Sequence, residues 1–233
     1  MKTVLIDLDG TLLHMDQEGF IKTYFGSVAK KFSKNYDSER VMAGLTLGTK
    51  AMVANDGTLS NADVFWKVFE RESGYEKDEV YDMFEDFYAN EFDACKASTS
   101  PSVYSKMLVE ALTKKGYQII VATNPMFPKI ATNKRIKWAG LDSSMFKEIT
   151  TYEDYHYCKP NINYYKEIIE KFNLNPEECY MIGNDVDEDL VARKIGLKVC
   201  LVNDNLINRN NSDIDAVFVG SLKELVEAIE KEA

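Results

Sequence analysis

The sequence predicts an α/β protein, a parallel β-sheet covered by helices on both faces, with a separate helical insertion near its start. Three observations carry this. From about residue 102 onward, short apolar runs alternate with helical patterns, the rhythm of a parallel sheet whose strands are joined by crossover helices. The runs are continuously apolar instead of alternating with polar residues, as strands buried on both faces require. Between about residues 15 and 98 that rhythm is missing and helical stripes replace it.

Taken in order, the chain begins on a strand: Thr3-Val4-Leu5-Ile6 is apolar and β-branched and stops abruptly at Asp7 and Gly10, which marks a loop. The stripes of the insertion follow. Phe20, Tyr24, Val28 and Phe32 fall four apart, Val64 and Val68 run beside Phe65 and Phe69, and Val80, Phe84, Phe87 and Tyr88 form a third stripe. They predict a small helical bundle whose aromatic residues pack its own core. A helix over 104–115 then leads to a second strand, 118–122, ending in Thr123, Asn124 and Pro125. Further strands are expected at 148–150, 179–182, 198–202 and 216–219, with helices over 129–139, 163–172, 187–195 and 222–231. Ser221, with Glu224 three residues later, is a capping box for the last helix. The expected division is a core of residues 1–14 and 99–233 and an insertion of residues 15–98.

Composition excludes several classes of function. Asp and Glu outnumber Lys and Arg, 38 to 28, giving a formal charge of -10 and a pI near 4.9. Nucleic acid and anionic membranes repel such a chain at long range, so neither is an expected partner. No segment approaches the ~18 apolar residues of a membrane helix, and Val4-Leu5-Ile6 is too short for the apolar region of a signal peptide. Cys95, Cys158, Cys179 and Cys200 lack the paired short spacing of a zinc or redox motif and read as reduced packing thiols of a cytoplasmic protein. An acidic chain that handled phosphate esters would have to gather cations locally, and a metal and a lysine would do so.

In open parallel sheets, ligands bind beyond the carboxyl ends of the strands. The first strand delivers Asp7 and Asp9, the second Thr123 and Asn124, and the fourth Asn184, Asp185 and Asp189; Lys159 arrives from the loop after the third. Carboxylates placed together repel one another or recruit a cation. Oxygen ligands without His or Cys suit Mg²⁺ better than zinc. Phosphoryl transfer then assigns the roles. Asp7 attacks phosphorus and forms an aspartyl phosphate. Asp9 protonates the leaving oxygen and later takes a proton from water. Thr123 holds a phosphoryl oxygen, and Lys159 neutralises charge shared by Asp7 and the phosphate.

Four segments in order carry a resemblance: Asp7-Leu8-Asp9-Gly10-Thr11-Leu12, Thr123-Asn124 closing an apolar strand, Lys159-Pro160, and Ile182-Gly183-Asn184-Asp185-Val186-Asp187-Glu188-Asp189-Leu190. Through them the chain resembles the haloacid dehalogenase-like hydrolase superfamily. The resemblance implies a Rossmann-like core and catalysis through an aspartyl phosphate. It implies Mg²⁺ held by the side chains of Asp7 and a fourth-motif acid and by the backbone carbonyl of Asp9, with Leu8, Thr123, Asn124 and Lys159 binding the phosphate. It also makes the helical insertion a small cap that closes over the site. The fourth motif in the family usually begins Gly-Asp. Here Asn184 follows Gly183, so Asp185 is expected as the direct metal ligand and Asp189 behind it.

Asp-x-Asp-Gly-Thr has chance odds of order one in a thousand in a chain of this length. Neither acidic segment fits a calcium loop, since Asp7 has its Gly fourth and Asp185 has Leu sixth. Asp187 and Glu188 read as acids favouring a helix N-terminus, His14 and His156 as solvated loop residues, and Lys30, Lys31 and Lys34 as a solvated helix face. Asp9 favours phosphoryl transfer over dehalogenation, because family dehalogenases lack that second acid. The expected function is hydrolysis of small phosphomonoesters, with a small phosphorylated metabolite as partner; the oligomeric state is left open, a monomer being one option. A sugar phosphomutase, a phosphonate hydrolase or a non-catalytic phosphate-binding protein are the alternatives.

Overall fold

The computed structural model describes residues 2–231. β1 (Thr3–Ile6) runs into the acidic loop, and β2 (Leu13–Met15) leads into the insertion, made of α1 (Gln17–Phe32), α2 (Ser38–Val53), α3 (Asn61–Ser73), α4 (Lys77–Ala89) and a 3-10 turn, Glu91–Ser98. β3 (Thr99–Pro101) returns antiparallel to β2, with His14 opposite Ser100. The insertion therefore leaves and re-enters through a two-stranded ribbon. Beyond it come α5 (Val103–Lys114), β4 (Gln118–Val121), α6 (Lys129–Trp138), β5 (Glu148–Ile149), α7 (Ile162–Lys171), β6 (Cys179–Gly183), α8 (Val186–Asp189), β7 (Lys198–Val202), β8 (Phe218–Gly220) and α9 (Leu222–Lys231).

The main sheet has the order β5-β4-β1-β6-β7-β8, every pair parallel. β1 is thus central, and Ile6 stands level with Val121 on one side and Ile182 on the other. The ladder continues one step, with the Asp7 N–H donating to the Ile182 carbonyl and the Ala122 N–H to the Ile6 carbonyl, each at 2.8 Å. Whatever follows β1, β4 and β6 therefore emerges at one level of one edge, the crevice where open sheets bind ligands.

Both faces of the central strand are buried, as its continuous apolar run requires. Val4 and Ile6 join a cluster with Leu108 and Val109 of α5, Ile136 of α6 and Leu225 of α9. Leu5 faces the other way, into a cluster with Tyr164, Tyr165 and Ile168 of α7. The capping box forms: the Ser221 N–H donates to Glu224 Oε2 at 2.7 Å, and the Glu224 N–H to Ser221 Oγ at 3.2 Å.

In the insertion, Phe20, Tyr24, Val28 and Phe32 are buried on α1, and Val80, Phe84, Phe87 and Tyr88 on α4. α2 carries no aromatic stripe, which hid it in the sequence. Its contact face is small: a Cβ at Gly44 would lie 2.9 Å from Phe69 Cδ2, and one at Gly48 2.8 Å from Phe65 Cδ2. Bare backbone at these two positions is what lets α3 press against α2.

Two expectations shift. The helix expected over 187–195 is a single turn, α8, followed by a 3-10 turn, Leu190–Ile195. At the break, the Glu188 carbonyl accepts a hydrogen bond from the Tyr165 hydroxyl at 2.9 Å, an acceptor drawn away from a regular helical ladder. The last strand is Phe218–Gly220, which pairs in register with β7, while the exposed Val217 adds one bond from its N–H to the Val199 carbonyl at 2.8 Å.

Candidate active site

The loop after β1 is a tight turn closed by backbone bonds from Leu13 to the Leu8 carbonyl at 2.8 Å and from Gly10 to the Leu13 carbonyl at 2.7 Å. Gly10 has φ +89°, and a Cβ there would lie 2.3 Å from Asn184 Nδ2. Glycine is required twice over, for the left-handed backbone and for the approach of the loop to the end of β6. Thr11 Oγ1 donates to Asn184 Oδ1 at 2.9 Å, and the Asn184 amide donates to the Asn205 carbonyl at 2.7 Å, so Asn184 ties the first loop to the fourth. The Leu8 side chain is fully buried, which leaves its backbone as the part that could meet a ligand.

Asp7 and Asp189 share one lysine. Lys159 Nζ donates to Asp7 Oδ1 at 2.9 Å and to Asp189 Oδ1 at 2.8 Å, and its side chain is wholly buried. Asp189 accepts with its other oxygen from the Asp185 N–H at 3.0 Å. A Cβ on Gly183 would lie 1.9 Å from that oxygen, so the glycine makes room for it. Asn124 holds the Lys159 loop to the end of β4, accepting from the Lys159 N–H at 3.2 Å and donating to the Lys159 carbonyl at 3.3 Å. Burial alone would lower the Lys159 ammonium, but the charges of Asp189 and Asp7 hold it well above its ordinary value. Burial pushes the Asp7 carboxyl up to about 8 against the opposing pull of Lys159, with Asp189 and Asp9 adding to the rise.

Asp9 points toward α6, where it pairs with Arg135, a residue 1% exposed that lies over the Phe127 ring at 4.6 Å. Burial raises the Asp9 carboxyl, and Arg135 opposes the rise. Asp185 caps the first turn of α8, accepting from the N–H groups of Asp187 and Glu188 at 2.9 and 3.1 Å. Its other oxygen accepts from Arg209 Nη1 at 2.7 Å, a partner about half exposed. Glu188 accepts from the Asn124 amide at 3.3 Å, and burial pushes its carboxyl up to about 7.

These groups open onto one cavity of about 330 Å³. Of the residues expected in the site, Asp7, Asp9, Thr123, Asn124, Asp185 and Asp189 line it, as does Asn184. Lys159 stands one layer behind, under Asp7 and Asp189. Neither histidine borders the cavity; His156 Nδ1 pairs with Glu167 at 2.6 Å. Lys31 bridges Asp86 and Glu91 within the insertion. Three residues of the site were not legible in the sequence. Arg135 was masked by its neighbours Lys134 and Lys137 as one more basic helix position, Arg209 lies in a polar loop without pattern, and Glu188 looked like a helix-start acid.

The donor set bears on a cation. Five carboxyl groups, Asp7, Asp9, Asp185, Glu188 and Asp189, face three cationic side chains, Lys159, Arg135 and Arg209, so acids outnumber bases and a cation would favour the ionised form of the crowded ones. Asp9 Oδ1 is buried with no hydrogen-bond partner. Among the described residues, no three His, Cys, Asp or Glu side chains converge as a metal cage. Mg²⁺ does not ask for one: it is bound through one or two carboxylates with waters and substrate phosphate completing its shell. Uncompensated hard oxygens fit it.

Comparison with known proteins gives a consistent picture. A family model described as haloacid dehalogenase-like hydrolase matches residues 1–196. A glyceraldehyde 3-phosphate phosphatase of Methanothermobacter thermautotrophicus is 27% identical over 124 residues, 49% of this chain and 54% of that one, so the match spans about half the length of that relative. A pyrophosphatase of Bacillus mycoides is 23% identical over 90% of this chain and 86% of its own length. The structure of L-2-haloacid dehalogenase from Xanthobacter autotrophicus with chloropropionic acid covalently bound superposes over 100% of both chains with a TM-score of 0.59 at 15% identity, a likeness of fold.

Proposed function

The chain belongs to the haloacid dehalogenase-like hydrolases, and on that premise we propose that it is a Mg²⁺-dependent phosphatase of small phosphomonoesters that works through an aspartyl phosphate on Asp7. The observation that carries this reading is the position of Asp7. It stands at the end of the central strand, faces the cavity, and is held from behind by a buried lysine. Two of its relatives are by name a phosphatase and a pyrophosphatase. In this reading residues 1–14 and 99–233 form the catalytic core and residues 15–98 a cap over it.

The roles follow from which atoms are free and which are held. Lys159 fixes one Asp7 oxygen, so the other, reached among the described residues only by Thr11 Oγ1 at 3.4 Å, is the one aimed at phosphorus. Asp9 lies two residues on along the same loop, and its ion pair with Arg135 sets the direction of its carboxyl. That carboxyl gives a proton to the leaving oxygen and later takes one from water. Thr123 and the backbone of Leu8 hold phosphoryl oxygens, while Asn124 fixes the loop of Lys159. The oxygens that would hold Mg²⁺ are the Asp7 carboxylate, the Asp9 carbonyl and the Asp185 carboxylate, and the ion would supply neutralisation of the phosphoryl charge. Asp185 is preferred to Asp189 because its partner Arg209 is half exposed and replaceable, whereas Asp189 is committed to buried Lys159.

The test is phosphate release from acetyl phosphate and a panel of small phosphomonoesters, with Mg²⁺ and with a chelator. Turnover is expected with Mg²⁺, loss of at least about a hundredfold on chelation, and recovery on adding Mg²⁺ back. Turnover unaffected by chelator would overturn the metal dependence, and none on any ester would favour a phosphate-binding protein.

A further inference from the structure

We propose that the ester this enzyme hydrolyses carries a compact aromatic or similarly apolar alcohol, seated in the aromatic end of the same cavity. The inference rests on the phosphatase reading above and adds the class of leaving group.

The cavity that begins at Asp7 and Asp9 continues without a break to Phe20, Tyr24, Phe65, Trp66, Tyr88 and Phe127. The first five belong to the insertion, and of these Phe20, Tyr24, Phe65 and Tyr88 were expected to pack its interior. The interior exists beside them: Phe32, Phe69 and Phe87 are 0% exposed, whereas Trp66 and Tyr88 keep 6% and 7%, and that remainder borders the cavity. Phe65 meets Trp66 edge-on with ring centres 5.1 Å apart, and Tyr24 meets Phe127 at 5.4 Å, so the walls are fixed by their own contacts.

The tyrosine hydroxyls on these walls are already paired. The Tyr24 and Tyr88 hydroxyls bond each other at 2.7 Å, so neither is free to take a ligand hydroxyl without giving up that bond. A leaving group rich in hydroxyls would strip them of water and find no partners there, which disfavours sugar and polyol phosphates. Gln17, Thr49, Glu85 and the hydroxyls of Tyr81 and Tyr152 are the polar exceptions on that side, and all of these residues except Tyr152 are clearly less buried than the aromatic walls. Size narrows the class further. A volume of about 330 Å³ has room for a phosphoryl group and one ring.

The test compares kcat/KM for 2-phenylethyl phosphate, ethyl phosphate and glycerol 3-phosphate, all esters of primary alcohols, with acetyl phosphate as a reference without a ring. The expected result is an advantage of about tenfold or more for the phenylethyl ester over the other two monoesters. Trp66→Ala should erase the advantage, lowering kcat/KM for the phenylethyl ester far more than for acetyl phosphate. Ile21→Asn, at a cavity-lining residue 53% exposed and so tolerant of change, should diminish it in the same selective way. Turnover of acetyl phosphate with no preference for the ring would overturn this inference and leave the phosphatase reading standing. Absence of turnover on all four compounds would overturn the phosphatase reading, and this inference with it.

Discussion

Asp7→Asn is expected to lower kcat by about four orders of magnitude while the protein stays folded. The amide keeps the shape of the side chain and can still accept from Lys159, but it cannot attack phosphorus. Stability should not fall with activity. Asp7, Asp9 and Asp189 are crowded in a poorly solvated site, and an amide in place of one carboxylate relieves repulsion that Lys159 only partly offsets. Thermal unfolding of the variant should therefore occur at or above the wild-type midpoint. A large loss of stability alongside the loss of activity would mean that Asp7 serves the fold and would remove the distinction on which its role depends.

Lys159→Met is expected to produce the opposite combination, a large loss of both. The lysine is wholly buried between two carboxylates, and its removal leaves both without their cationic partner. Breaking a buried charge pair from one side costs about 3–5 kcal/mol. For a chain of this size each kcal/mol is worth about 2–4 °C, so the melting temperature should fall by about 6–20 °C. Adding Asp189→Asn to Lys159→Met should restore part of that stability, because one of the two stranded charges is gone, while activity stays lost. Differential scanning calorimetry of the two single variants and the double variant reads this directly. A Lys159→Met protein that melts with the wild type would contradict the account of the buried triad.

How much of this was legible in the sequence depended on whether a residue's role was local. β1 and the loop after it could be read because an apolar run followed by Asp-x-Asp-Gly-Thr is a local pattern, and Ser221 with Glu224 announced a helix start that forms as expected. The expected Rossmann-like parallel sheet is present. Its order is a tertiary fact, and no pattern in β1, β4 or β6 says that the first lies between the other two. α2 was missed because its packing face is made of Gly44 and Gly48, where the signal of contact is the lack of a side chain. The β2–β3 ribbon was missed because strands of three residues carry too little periodicity to register.

At the site, the sequence gathered the acids, Thr123, Asn124 and Lys159 at strand ends, but it could not see partners distant along the chain. Arg135 lies 126 residues from Asp9 and Arg209 lies 24 from Asp185, and both pairs exist only because the fold brings them together. The aromatic stripes show the same limit. Helical spacing identified Phe20, Tyr24 and Phe65 as inward-facing, and it could not tell a wall shared with a cavity from a wall shared with another side chain.

The central claim is a covalent phosphoryl group on Asp7, and the most direct measurement is mass spectrometry on enzyme quenched in acid during turnover of acetyl phosphate with Mg²⁺. Asp9→Asn should be included, because slowing proton removal from water should let the intermediate accumulate. The expected result is one added phosphoryl group, located on the peptide that contains Asp7 and absent from the Asp7→Asn protein. Turnover with no adduct on that peptide, or an adduct on a different residue that persists in Asp7→Asn, would contradict the account.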